Sequence, residues 1–168
     1  VNRYLGGERP APRPEGESPL AEGWSATLDR FRDLLDACLL HDALGELWEF
    51  VGGANKTVDA ERPWDLAKAA KAGDAAAGAH LADVLGDLLE ACRLVGLAVT
   101  PFMPRTGPRV LAQLGYGFPY GEDGNGGPPL ADELAWGAHT AEPGRVMAPE
   151  PLFPRLDLDA DASETAPA

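Results

Sequence analysis

The chain has 168 residues, 45% hydrophobic, 7% aromatic and 24% charged, a composition that can bury one modest core. With 14 Lys and Arg against 27 Asp and Glu the formal net charge is −13, which excludes general affinity for nucleic acid or anionic membranes, so that any RNA contact has to be local. Its two cysteines, Cys38 and Cys92, fall in apolar periodic stretches; they build neither a disulfide framework nor a zinc cluster and fit a reducing compartment.

Val1 to Leu5 followed by Gly6-Gly7 reads as a helix end whose earlier turns lie upstream, glycine supplying the left-handed residue beyond the last turn. With Val at position 1 and no basic and apolar signal segment after it, the chain reads as a fragment. The run ERPAPRPEGESP, residues 8–19, holds four prolines and predicts an ordered loop at best.

Ser25 as N-cap, with Leu28, Phe31, Leu34, Leu35, Cys38 and Leu39 at steps of three and four, predicts an amphipathic helix. Asp42 caps a second, whose stripe of Leu44, Leu47, Trp48, Val51, Ala54, Asn55 and Val58 runs to Asp59 or Ala60. Gly52-Gly53 inside it predicts close packing against the backbone, which offsets a helix cost of about 1 kcal/mol per glycine. Pro63 ends this helix by forcing Arg62 out of the α region, with Trp64 on the turn and Asp65 able to cap the next element, an alanine-rich stretch over residues 66–79.

Leu81, Val84, Leu85, Leu88, Leu89, Cys92, Val95 and Val99 mark a long helix closed by Pro101 and Pro104. Asp83, Asp87, Glu90 and Arg93 form its polar face and are too many charges for a membrane span. A short last helix takes Thr106 as N-cap, carries Pro108 in its first turn and stops before Gly115. Residues 117–149 are irregular, with GEDGNGGPP at their heart and one amphipathic patch at Leu130, Leu134 and Trp136. PLFPRLD is apolar and has to dock, and DLDADASETAPA, with Asp157, Asp159, Asp161 and Glu164, predicts disorder. The layout is a helical bundle over residues 1–115 that includes the proline-rich loop, an irregular linker over 116–149, a docking peptide over 150–157 and an acidic tail over 158–168.

No paired catalytic carboxylates, nucleophile with its base, or metal cluster stands out, and His41, His80 and His139 are scattered. GEDGNGG lacks the lysine, strand and helix of a phosphate cradle. One constellation differs. In ANKTVDAERPWDLAK, Asn55 and Asp59 are four apart and share a helix face, Trp64 lies just beyond, and Lys56, Arg62 and Lys68 add positive charge. An indole offers a nucleobase a stacking platform worth about 1 to 3 kcal/mol, and Asn and Asp hydrogen bonds select its edge. On pattern alone, a half-buried Trp covering a helix end with Asn capping the turn explains the same residues.

This stretch resembles the anticodon-binding domain of methionyl-tRNA synthetases, class I aminoacyl-tRNA synthetases. VNRYLGG, PFMPRTGPRVLAQLG and PEPLFPRLD agree with that family in order and approximate spacing, so the resemblance covers Val1 to Asp157. It implies an all-α antiparallel helical bundle with long Gly/Pro-rich loops and a C-terminal docking peptide, which receives the CAU anticodon of a methionine-specific tRNA. Trp64 matches the family's tryptophan stacking under the first anticodon base; Asn55, Asp59 and Pro63 match the residues shaping its surroundings; Arg155 matches an arginine in a C-terminal peptide that folds back on the enzyme. Lys56 and Arg62 are phosphate partners by proximity. Thr57 stands where an aromatic is usual, and the family's Asn and Arg base readers lie on the helix before VNRYLGG, outside this chain.

The parent reaction so implied is ATP-dependent esterification of methionine onto its tRNA in the cytoplasm. The family's catalytic Rossmann domain, with its HIGH-like and KMSKS-like motifs, has no counterpart in these residues. Catalytic residues and cofactors are therefore expected to be absent here, with ATP and zinc belonging to the catalytic part, which is the second expected partner. Two rival readings are a helical docking domain without RNA affinity of its own, and the equivalent domain of another class I synthetase; the LFPRLD ending speaks against the latter.

Overall fold

The computed structural model describes residues 1–121, 126–140, 144–148 and 150–154. Its elements are α1 (Asn2–Leu5), a 3-10 turn (Glu15–Glu17), α2 (Pro19–Asp36), α3 (Leu40–Glu61), α4 (Pro63–Lys71), α5 (Ala75–Ala98), α6 (Thr106–Gln113) and α7 (Leu130–Glu133). The architecture is all-α as expected; among the described residues the only β pairing is an isolated antiparallel bridge between Glu8 and Arg145. No described helix is long and apolar enough to cross a membrane.

Helix α2 begins six residues before the expected Ser25, because Ser18 Oγ accepts the Ala21 N–H at 3.3 Å and Pro19 takes the first helical position, where its missing N–H is no loss. It ends at Asp36, and Cys38 follows with a left-handed φ of 58°. Cys38 and Leu39 therefore leave the apolar stripe and are exposed. The pairing of α2 with α3 buries Trp24, Leu28 and Phe31 with Ala43, Leu47 and Phe50, and Trp24 meets Phe50 edge to face at 5.1 Å. Gly52 and Gly53 are not packed against anything: no neighbour lies within 4 Å of where their Cβ atoms would stand. Nothing in the structure explains that pair.

The alanine-rich stretch resolves into α4 and the start of α5, separated at Gly73, and Asp74 caps α5 by accepting the Ala77 N–H at 3.0 Å. The expectation that α5 carries an outward polar face is overturned for three of its four charges. Asp87, Glu90 and Arg93 are only 1–2% exposed, and Asp83 alone faces solvent. The buried three hold non-helical segments whose backbone groups lack secondary-structure partners.

Asp87 accepts the Arg13 N–H at 2.8 Å, the Arg13 guanidinium at 2.9 and 2.7 Å, and Ser18 Oγ at 2.6 Å. Arg93 grips Glu90 at 2.8 and 2.6 Å while donating to the carbonyls of Glu133 and Ala135, and Glu90 accepts the Gly137 N–H. The proline-rich loop is thus an ordered arm. It crosses α5 at Gly86, where a Cβ would overlap the Ala11 carbonyl. Trp136 Nε1 donates to the Arg13 carbonyl at 2.9 Å, and Trp24 Nε1 to that of Leu134 at 2.8 Å, which brings the Leu134 and Trp136 patch into the core.

The two ends of the described chain meet. Asn2 Nδ2 donates to the Met147 carbonyl at 2.8 Å, and the Arg9 and Val146 amides bond the carbonyls of Gly144 and Gly7. Arg109 donates to the carbonyls of Leu152 and Pro151, and Gln113 to that of Glu150, which fastens residues 150–152 to α6.

Candidate nucleic-acid interface

The corner between α3 and α4 consists of one residue, Arg62, whose φ of 48° and ψ of 62° are left-handed. For a residue with a Cβ that conformation costs roughly 1 to 2 kcal/mol. Pro63 disfavours the right-handed α region at the preceding position, which stops α3 at Glu61, and itself serves, buried, as the first residue of α4. An ion pair and a hydrogen bond close the corner. Arg62 Nε meets Asp65 Oδ2 at 2.6 Å across the turn, and Glu61 Oε2, on the last residue of α3, meets His80 Nε2 of α5 at 2.7 Å.

Trp64 is therefore the second residue of a helix rather than part of a free turn. It is 45% exposed, with about half of its surface covered. Beneath it, Ala67 packs with Leu81 and Leu85, and the Val1, Tyr4 and Leu5 side chains of the first turn join that cluster. Trp64 lines a shallow concavity of about 280 Å³ with Arg3, Tyr4, Ala67, Lys68 and Lys71. Lys68 and Lys71 stand in the last turn of α4, and the Arg3 guanidinium lies 5.7 Å from the Tyr4 ring centroid. Two aromatic rings and three cations thus share one hollow in a chain whose net charge is −13.

Asn55, Lys56 and Asp59 are exposed on the last turns of α3. Asn55 lines a different concavity, an apolar groove of about 450 Å³ between α3, α5 and α6. Its walls include Trp48, Val51, Val58, Leu88, Val95 and, from the C-terminal peptide, Phe153. Trp48 and Phe153 are 55% and 71% exposed. Thr57 turns inward on its own helix, donating to the Gly53 carbonyl at 3.2 Å. Arg62 is engaged by Asp65, and Arg155, with the acidic tail, lies outside the described residues.

Arg3, Tyr4 and Lys71 escaped the sequence reading as members of the Trp64 hollow. A spacing of three from Lys68 was available for Lys71; nothing local announces that residues 3 and 64 meet. Among the described residues no three His, Cys, Asp or Glu side chains converge as a ligand set.

No family model matches the chain. In an alignment of 168 positions that covers 96% of the chain, it is 32% identical to the methionine–tRNA ligase of Lactiplantibacillus plantarum. It is 31% identical to those of Caldanaerobacter subterraneus over 167 residues and of Streptococcus pyogenes over 166. The chain spans only 22–23% of the length of these curated relatives. Its fold superposes on Mycobacterium tuberculosis methionyl-tRNA synthetase in the free state with a TM-score of 0.70 and 26% identity, covering 94% of this chain and 29% of that one. The same enzyme in complex with methionyl-adenylate gives 0.69 and 26%, covering 92% and 28%. Sequence and fold agree that this chain is a homologue of the C-terminal part of methionyl-tRNA synthetases.

Proposed function

We propose that the chain is the anticodon-binding module of a methionine–tRNA ligase and receives the CAU anticodon loop of a methionine-specific tRNA at the Trp64 hollow. In this reading the first anticodon base stacks on the Trp64 indole, and Lys68, Lys71 and Arg3 neutralise the neighbouring phosphates. Pro63 holds the indole's helix in place, Asn55 and Asp59 shape the approach along α3, and Lys56 and Arg62 lie at its margin, with Arg155 on the peptide beyond. The parent enzyme joins methionine to its tRNA with ATP, and this part contributes recognition. The observation that supports the reading is the half-exposed indole set among three cations on an otherwise acidic chain.

Fluorescence titration with a methionine-tRNA anticodon stem-loop, and with one carrying a different first anticodon base, tests it. Quenching that favours the cognate loop and disappears in Trp64→Phe is expected. The apolar groove favours a second reading, a docking domain without RNA affinity of its own; absence of binding to either loop, with the fold intact, selects that reading instead.

A further inference from the structure

We infer that Glu61 and His80 are positioning residues for Trp64: by joining the last residue of α3 to α5 they hold the left-handed corner at Arg62 and so aim the indole. The inference rests on the reading of Trp64 as the stacking platform. Among the described residues only Cys38 and Arg62 combine a side chain with positive φ, and Arg62 stands two positions before the exposed indole. Such a conformation persists only where its surroundings over-determine it, and it recurs where geometry serves function.

The surroundings here are specific. Downstream of the corner, α4 is fastened to α5 by apolar packing of Ala67 with Leu81 and Leu85, and Ala70 Cβ lies 3.6 Å from where a Cβ of Gly78 would stand. Upstream, Glu61 reaches His80 on that same helix at 2.7 Å, and the Arg62 amide still bonds the Val58 carbonyl of α3 at 3.0 Å. Both sides of Arg62 are therefore fixed to one rigid element. The Arg62 and Asp65 pair spans only the turn itself and cannot tie α3 to α5. Without the Glu61 and His80 contact, the last turn of α3 is held to α5 only by the packing of its earlier turns, the left-handed corner at Arg62 is less firmly set, and so is the direction of Trp64.

The test uses the full chain and two readouts. In an NMR spectrum of indole N–H groups, assigned by Trp64→Phe, the Trp64 resonance is expected to shift and broaden in His80→Ala and Glu61→Ala. The resonances of Trp24 and Trp136, held by carbonyl acceptors, stay in place. His80→Gln, which keeps a hydrogen-bonding group, restores the native signal. In stem-loop titrations His80→Ala weakens binding roughly fivefold, and the same change in a Trp64→Ala background adds nothing further, as coupled residues behave in a double-mutant cycle. An unmoved Trp64 resonance, or losses that simply add, overturns the inference. If Trp64→Ala leaves RNA affinity unchanged, the anticodon reading fails, and the indole spectrum alone still decides whether the pair positions Trp64.

Discussion

At the scale of single residues, the four tryptophans divide cleanly. Trp24 is buried with its N–H on the Leu134 carbonyl, so Trp24→Ala is expected to destabilise by about 3 to 5 kcal/mol. Trp64→Ala, at a half-exposed position, is expected to cost about 1 kcal/mol or less while weakening stem-loop binding to a still measurable level; paired denaturant melts and titrations measure both. Tyr120 carries a second prediction. Its hydroxyl is buried without a hydrogen-bond partner among the described residues, and burial, then the carboxylates of Glu133 and Asp132, push its phenol above the ordinary value. The native state therefore favours the neutral phenol. That contribution is complete below the ordinary value of about 10 and is lost as pH rises through the raised native one. Tyr120→Phe is expected to melt no lower than the parent at pH 7 and to lose part of the alkaline decline, as read by melting at stepped pH. The pattern around Trp64 left a structural tryptophan open, and it was the resemblance of ANKTVDAERPWDLAK that singled the residue out; its neighbours Arg3 and Tyr4 were not legible, since contacts across sixty residues leave no local pattern.

At the scale of elements, periodicity located the helices well and misjudged what they face. The end of α3, the start of α6 and the stop before Gly115 fall within two residues of expectation, because proline and glycine act through local sterics. The start of α2 was missed because Ser18 and Pro19 sit in a proline-rich run that looks like loop. On α5 the inference from polar to outward failed, since Asp87, Glu90 and Arg93 serve as partners for an arm and a turn that carry few backbone bonds of their own. Two ion pairs measure the difference. Arg13→Ala leaves the Asp87 carboxylate buried and short of its cation, with an expected loss of about 3 to 5 kcal/mol, whereas Arg30→Ala, on an exposed pair with Glu46, costs about 0.5 kcal/mol. Urea melts of both variants give the comparison. Gly86→Ala is expected to lift the arm from α5, which hydrogen exchange at the Arg13 amide reads directly.

At the scale of the molecule, composition and architecture pull in opposite directions. A net charge of −13 opposes RNA, while Arg3, Lys68 and Lys71 gather on one hollow. With about three phosphates neutralised, the logarithm of the stem-loop binding constant is expected to fall against the logarithm of salt with a slope of roughly −2, much shallower than for a basic RNA binder. Titrations between about 50 and 200 mM salt fix that slope. The bundle was readable from its stripes, whereas the meeting of residues 1–9 with residues 144–147 was not, because irregular segments carry no period. That closure has a temporal consequence. Asn2 bonds the carbonyl of a residue 145 positions later, and the Arg9 amide needs Gly144. On a ribosome adding about 5 to 20 residues per second, the arm waits on the order of 10 to 30 s for those partners. The helical hairpins have time to form first, and the seam between residues 1–9 and 144–147 closes after them.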